Sequence, residues 1–97
     1  MSTLLNATIA AADTFSDEVQ LEGDFNLSVS GTFSGTLTVQ RSRDRDTWLD
    51  VDTFTAPAEE VGYDPEFNWY RVGCKAGELA SGSVAVRIGT QDTPSNF

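Results

Sequence analysis

Asp44, Asp46, Asp50 and Asp52 crowd one short stretch of this chain. Carboxylates so spaced could ligate calcium, which takes about six to eight oxygens, several from a tight loop. Arg43 and Arg45 interleave with them and neutralise part of their charge, and the glycine and terminal glutamate of an EF-hand loop are missing. The favoured reading is a solvated turn and strand face, with no metal site and no cofactor. Covalent chemistry has little to start from. The chain contains no His, the commonest general base and transition-metal ligand near neutral pH. Its one cysteine, Cys74, falls in phase with Tyr70 and Val72, as a buried, inert thiol would. No base stands by to activate it, and Lys75 points to the opposite face. No nucleophile–base pair is found, so no catalytic residue is assigned and an enzyme is not expected.

The stretch Ser42-Arg43-Asp44-Arg45-Asp46-Thr47-Trp48 resembles the Ser-x-Asp-x-Gly-x-Thr-Trp turn called the Asp box, one residue shorter and with Asp46 where glycine is favoured. The resemblance implies Ser and Asp side chains bonded to the turn backbone and Trp packed under the hairpin. Such turns are structural even in sialidases, which need repeated blades and an arginine cluster, and this chain has one copy. The aromatic set Trp48, Phe54, Tyr63, Phe67, Trp69 and Tyr70 offers a second possibility. Carbohydrate-binding modules stack sugars on coplanar rings of a β-sandwich face. Trp48 falls opposite Leu49 and Val51, and Trp69 opposite Tyr70 and Val72, so both lie outward unless a bulge turns one inward. Core or subunit-interface packing is favoured over sugar binding, because large aromatics are also the usual interface anchors.

The elements that must position these residues are strands. Period-2 alternation runs from Val19 onward. Val19 and Leu21 share a face, then Phe25, Leu27 and Val29, then Leu37 and Val39. Residues 47–54 form another strand with Leu49 and Val51 on one face, followed by 68–74, and by 83–88 with Val84, Val86 and Ile88 in phase. Residues 31–35, 41–46 and 76–82 read as turns, and 56–64 as a loop with a short strand near 60–63. The expectation is an all-β fold, a small antiparallel β-sandwich or partly closed barrel of six to eight short strands. Its core includes Leu27, Val29, Leu37, Val39, Leu49, Val51, Val72, Val84 and Val86. Residues 15–89 form the sandwich domain and 90–97 a C-terminal tail. Residues 1–14 are an N-terminal arm or the first strand, since Leu5, Ala7, Ile9 and Ala11 alternate in a way that suits either.

With 97 residues there is room for one domain with a thin core. Fifteen acidic residues against six basic give a net charge of −9, which argues against nucleic acid and against an anionic membrane. It fits a basic partner surface or solubility at high copy number. One cysteine allows no intrachain disulfide. No basic n-region precedes the apolar residues of 1–12, so no secretory signal is expected and the sequons at Asn6 and Asn26 carry no weight.

Between Gly31 and Arg87 the chain resembles small β-sandwich structural proteins of tailed-bacteriophage virions. The matching stretches are Gly31-Thr32-Phe33-Ser34-Gly35-Thr36-Leu37-Thr38-Val39-Gln40-Arg41-Ser42, Thr47-Trp48-Leu49-Asp50-Val51, Trp69-Tyr70-Arg71-Val72-Gly73 and Ser81-Gly82-Ser83-Val84-Ala85-Val86-Arg87. The resemblance implies a non-enzymatic virion protein made in the host cytoplasm, foremost a capsid decoration or cement protein. It would bind the major capsid protein or another virion protein, as a homo-oligomer. The alternatives are a neck, tail or fibre component, or a carbohydrate-binding or adhesive module. Leu4, Leu5, Ile9, Trp48, Trp69 and Phe97 are the interface candidates, with the terminal segments expected to contact a neighbouring subunit.

Overall fold

The computed structural model describes residues 3–90. Among them every regular element is a strand: β1 (Thr3–Ile9), β2 (Thr14–Phe15), β3 (Val19–Ser30), β4 (Phe33–Gly35), β5 (Leu37–Ser42), β6 (Leu49–Phe54), β7 (Ala58–Cys74), β8 (Leu79–Gly82) and β9 (Val84–Thr90). The main sheet is antiparallel throughout, in the order β1-β9-β3-β7-β5-β6, with β2 also on β7. β4 and β8 pair as a separate small sheet, where turns were expected from the sequence.

The long β3–β7 ribbon organises the fold. It runs in register from Val19↔Tyr70 to Leu21↔Asn68, then resumes at Gly23↔Asp64 and continues to Val29↔Ala58. Two extra residues on β7 are absorbed there, around Pro65, which has no N–H to give to a ladder and is tolerated at a bulge. Gly23 opposite takes a left-handed φ of 80°. On one side of the bulge β9 and β1 lie beside β3; on the other β5 and β6 lie beside β7. Ile88 of β9 lines the same cleft as Val39 of β5 and Val51 of β6, although these strands are not neighbours in the sheet. The sheet has therefore folded over its own ribbon into two facing layers. Loop-like composition at 56–64 (Pro57, two glutamates, Gly62) concealed that this segment is the first half of β7.

Alternation placed Leu27, Val29, Leu37, Val39, Val72, Val84 and Val86 inside, and all are buried. Leu49 and Val51 are not: they are 64% and 48% exposed. For Val51 the cause is a bulge between Val39↔Asp52 and Gln40↔Asp50, which leaves it without a cross-strand partner; Leu49, opposite Arg41, keeps the face of Val39 but lies on an edge strand beside β5 alone. Phe54 takes the buried position, and Asp52 comes opposite Val39 at the mouth of the layer. Of the two readings of the N-terminal segment, the structure has the strand. Leu5 pairs with Ile88 and Ile9 with Val84, so residues 3–9 and β2 belong to the domain that was expected to start at 15.

Candidate functional site

Two surfaces gather the chemically distinctive side chains. The first begins at the turn between β5 and β6. Ser42 Oγ accepts from the backbone N–H of Asp44 (3.2 Å) and Arg45 (2.8 Å), and donates to Asp44 Oδ1 (3.0 Å). Asp44 Oδ1 also accepts from the N–H groups of Asp46 and Thr47, each at 2.9 Å. Bonds from Thr47, Asp46 and Ser42, in that order, hold the Asp44 carboxyl below the usual carboxylate range. The Ser–Asp turn expected from the sequence is thus present, but its left-handed residue is Arg45, at φ 65°, rather than Asp46. Asp44 is committed to the turn's own N–H groups. Among the described residues no three His, Cys, Asp or Glu side chains are gathered to hold a metal. Ser42→Ala removes the acceptor from two turn amides and is expected to cost about 1–2 kcal/mol. The check is a lower urea midpoint at unchanged slope.

Past the turn, the Arg71 guanidinium lies between two rings, 4.3 Å from the centre of Trp48 and 4.5 Å from that of Phe15. Its Nε donates to Gln40 Oε1 (2.8 Å), and Gln40 Nε2 donates to Asp50 Oδ1 (2.9 Å). Lys75 pairs with the other Asp50 oxygen; this bond, then that from Gln40, holds the Asp50 carboxyl below its usual range, and Asp50 raises Lys75 in turn. Arg45 lies 5.7 Å from the Trp69 ring centre and pairs with Glu18 at 2.6 Å. Both tryptophans are half-buried, and each has an arginine on its ring. A sugar stacking on those faces would have to displace it.

The second surface is a cleft of about 350 Å³ between β6 and the first half of β7. Its floor is a buried polar cluster around Asp64, which is 2% exposed. Asp64 Oδ2 accepts from Tyr70 Oη (2.7 Å) and Asn68 Nδ2 (3.0 Å), and Oδ1 accepts from the Glu66 N–H (3.1 Å). Arg41 Nε lies 3.0 Å from Oδ2, as an ion pair out of line for a hydrogen bond. Burial alone would raise the Asp64 carboxyl; Tyr70, Glu66, Asn68 and Arg41 together outweigh it and hold it low. Burial, and then Asp64, drive the Tyr70 phenol upward, so it stays protonated. Burial, and then Glu78, push the Cys74 thiol up as well. Neither group is poised as a nucleophile.

Val51 and the Phe25 ring supply apolar wall to the cleft, while Val61 at 87% exposure and Tyr63 at 68%, at its edge, fall on the opposite face of β7 from Glu60, Gly62 and Asp64. The Phe25 ring packs against Gly62, where an added Cβ would meet it at 2.7 Å, and against the Tyr70 ring, with centres 5.1 Å apart. At the rim Asp52 and Glu60 face each other; a hydrogen bond with Asp52, then burial and the Asp52 charge, raise the Glu60 carboxyl. Compared with protein-family models, with curated proteins and with solved structures, the chain finds no match.

The interface candidates from the sequence are scattered. Leu4 is exposed on β1, Leu5 packs against the core, and Ile9 is fully buried within it, so Ile9 is a core residue of its own chain. Trp48 and Trp69 lie under arginines on the outer face. Phe97 lies outside the described residues. Sequence reasoning missed the cleft. Val61 and Tyr63 were readable as an exposed apolar pair only once 58–64 was known to be a strand with one open edge.

Proposed function

We propose that this protein is a non-enzymatic assembly module, best placed as a structural component of a tailed-bacteriophage virion of the capsid decoration or cement type. The observation that carries the assembly reading is the apolar surface left open on β6 and β7, where Leu49, Val51, Val61, Tyr63 and Phe67 are all exposed. Large apolar side chains exposed along two strands of a small domain are the usual material of a protein–protein contact. The virion assignment is supported by the sequence resemblance between Gly31 and Arg87. The protonated Tyr70 phenol and the buried Cys74 thiol fit a molecule that binds rather than reacts.

The test is to purify particles from the phage or prophage that encodes the chain and to quantify it by mass spectrometry and cryo-electron microscopy. The expected result is a copy number set by the particle's symmetry. Val61→Asp, at a fully solvated position, is expected to keep its stability within about 0.5 kcal/mol and to lower particle occupancy. Absence of the wild-type chain from particles overturns the reading.

A further inference from the structure

We propose that the cleft between β6 and the first half of β7 is a socket for a lysine or arginine side chain, presented on an extended segment of a different protein. This rests on the assembly reading above and gives the partner its chemistry. The cleft lies between two open strand edges. Among the described residues β6 pairs only with β5, and residues 58–64 of β7 pair only with β3. Backbone groups on such edges accept an added strand, while alternate side chains fill pockets beside it.

Charge selects the occupant. The lining holds three carboxylates, Asp52, Glu60 and Asp64, against one guanidinium, Arg41. Asp64 and Arg41 are paired with each other on the floor. That leaves Asp52 and Glu60, two carboxylates that face one another at the rim and, among the described residues, form no ion pair with a cation. An ammonium or guanidinium between them neutralises both. Its methylene stem would lie along Val51 and the Phe25 ring, which line the cleft on the same face of β7 as Glu60.

The cation has to come from another protein, because this chain has none to spare. All six of its basic side chains are engaged: Arg41 with Asp64, Arg43 with Glu66, Arg45 with Glu18, Lys75 with Asp50, Arg71 with Gln40 and Arg87 with Asn26. A second copy would have to break one of these bonds and would bring a further net charge of −9 to an acidic site.

The experiment is an NMR titration of the ¹⁵N-labelled full chain at low salt. The probes are the peptide acetyl-Val-Lys-Val-Lys-Val-amide and its glutamate counterpart. The lysine peptide is expected to shift the amide signals of 51–52 and 60–63 saturably, at least about tenfold more tightly than the glutamate peptide. The double variant Asp52→Asn/Glu60→Gln, at exposed positions, is expected to keep or slightly raise the melting temperature, since it removes a like-charge repulsion, and to lose that preference. No shifts, shifts elsewhere, equal binding of both peptides, or undiminished binding by the double variant each overturn the socket. Particle occupancy separates the two claims. Wild-type chain missing from particles overturns the assembly reading and leaves the peptide result to decide the socket. Wild-type chain present, with no lysine preference, overturns the socket alone.

Discussion

Asp64→Ala is expected to destabilise the protein by about 3 kcal/mol, or roughly 12–24 °C in melting temperature for a domain of this size. The substitution strands two buried donors, the Tyr70 hydroxyl and the Asn68 amide, and takes the counter-charge from the Arg41 guanidinium. Breaking one side of a buried ion pair costs more than the pair contributes, because the remaining charge is left without compensation. Arg41 is 30% exposed and can recover some hydration, which keeps the figure at the lower end. Tyr70→Phe removes one hydrogen bond and is expected to cost less, about 1–2 kcal/mol. Equal losses in the two variants would mean that Arg41 and Asn68 contribute nothing. The pH dependence has a definite sign. Asp64, Asp44 and Asp50 all have carboxyls held low in the folded state. Their stabilisation is complete above the unfolded-state value of about 4 and is lost as pH falls through the lower folded-state values. Glu60 runs the other way: its carboxyl is raised by Asp52, so protonation relieves a repulsion of the folded state and offsets part of the loss. Urea midpoints are expected to hold from neutrality down to pH near 5 and to fall steeply below about 4, with a shallower fall in Asp64→Ala.

Gly82→Ala is expected to cost about 2–4 kcal/mol, and Gly77→Ala about 1–2 kcal/mol. Both glycines have left-handed φ, 84° and 77°. A Cβ on Gly77 meets nothing within 4 Å, so only the backbone penalty applies. A Cβ on Gly82 would sit 2.1 Å from the Thr32 carbonyl oxygen and 2.7 Å from Phe33 Cα, both backbone atoms that cannot step aside. Relief requires β8 to part from β4, where Phe33 pairs with Gly82 and Ser34 with Ser81. Hydrogen exchange should show the effect as faster exchange at the paired β4 and β8 amides, with β3 and β7 little changed. Equal costs for the two substitutions would show that the close approach at Gly82 yields without penalty.

The strands were legible wherever a buried face met strict alternation. Leu27 with Val29, Leu37 with Val39 and Val84 with Val86 point inward as their spacing requires. What alternation cannot report is an inserted residue. In β6 the bulge put Val51 out of the ladder, and an aspartate took the inward place opposite Val39. The Ser42–Asp44 turn was legible because its bonds are local, made by side chains two or three residues from the amides they accept from. The Asp64 cluster was not, since it depends on the β5–β7 register that brings Arg41 opposite Tyr70. The cleft was hidden for the same reason: Asp52 and Glu60 meet across strands whose approach no local pattern encodes.

The strand order carries a consequence for the way the chain acquires its shape. In the main sheet only β5 and β6 are neighbours both in sequence and in space. β1 has no partner until β9 arrives, and the first half of β7 must find β3 across the intervening small strand, β5 and β6. Every such closure has to be made before the contacts it brings can repay the lost chain entropy, which places this topology among slow folders, in the millisecond-to-second range. Before residues 84–90 emerge, β1 has no partner in the sheet and β3 can pair only with β7. The sheet completes only when β9 enters between β1 and β3, and until then each of those strands keeps an unpaired edge open to whatever else is nearby.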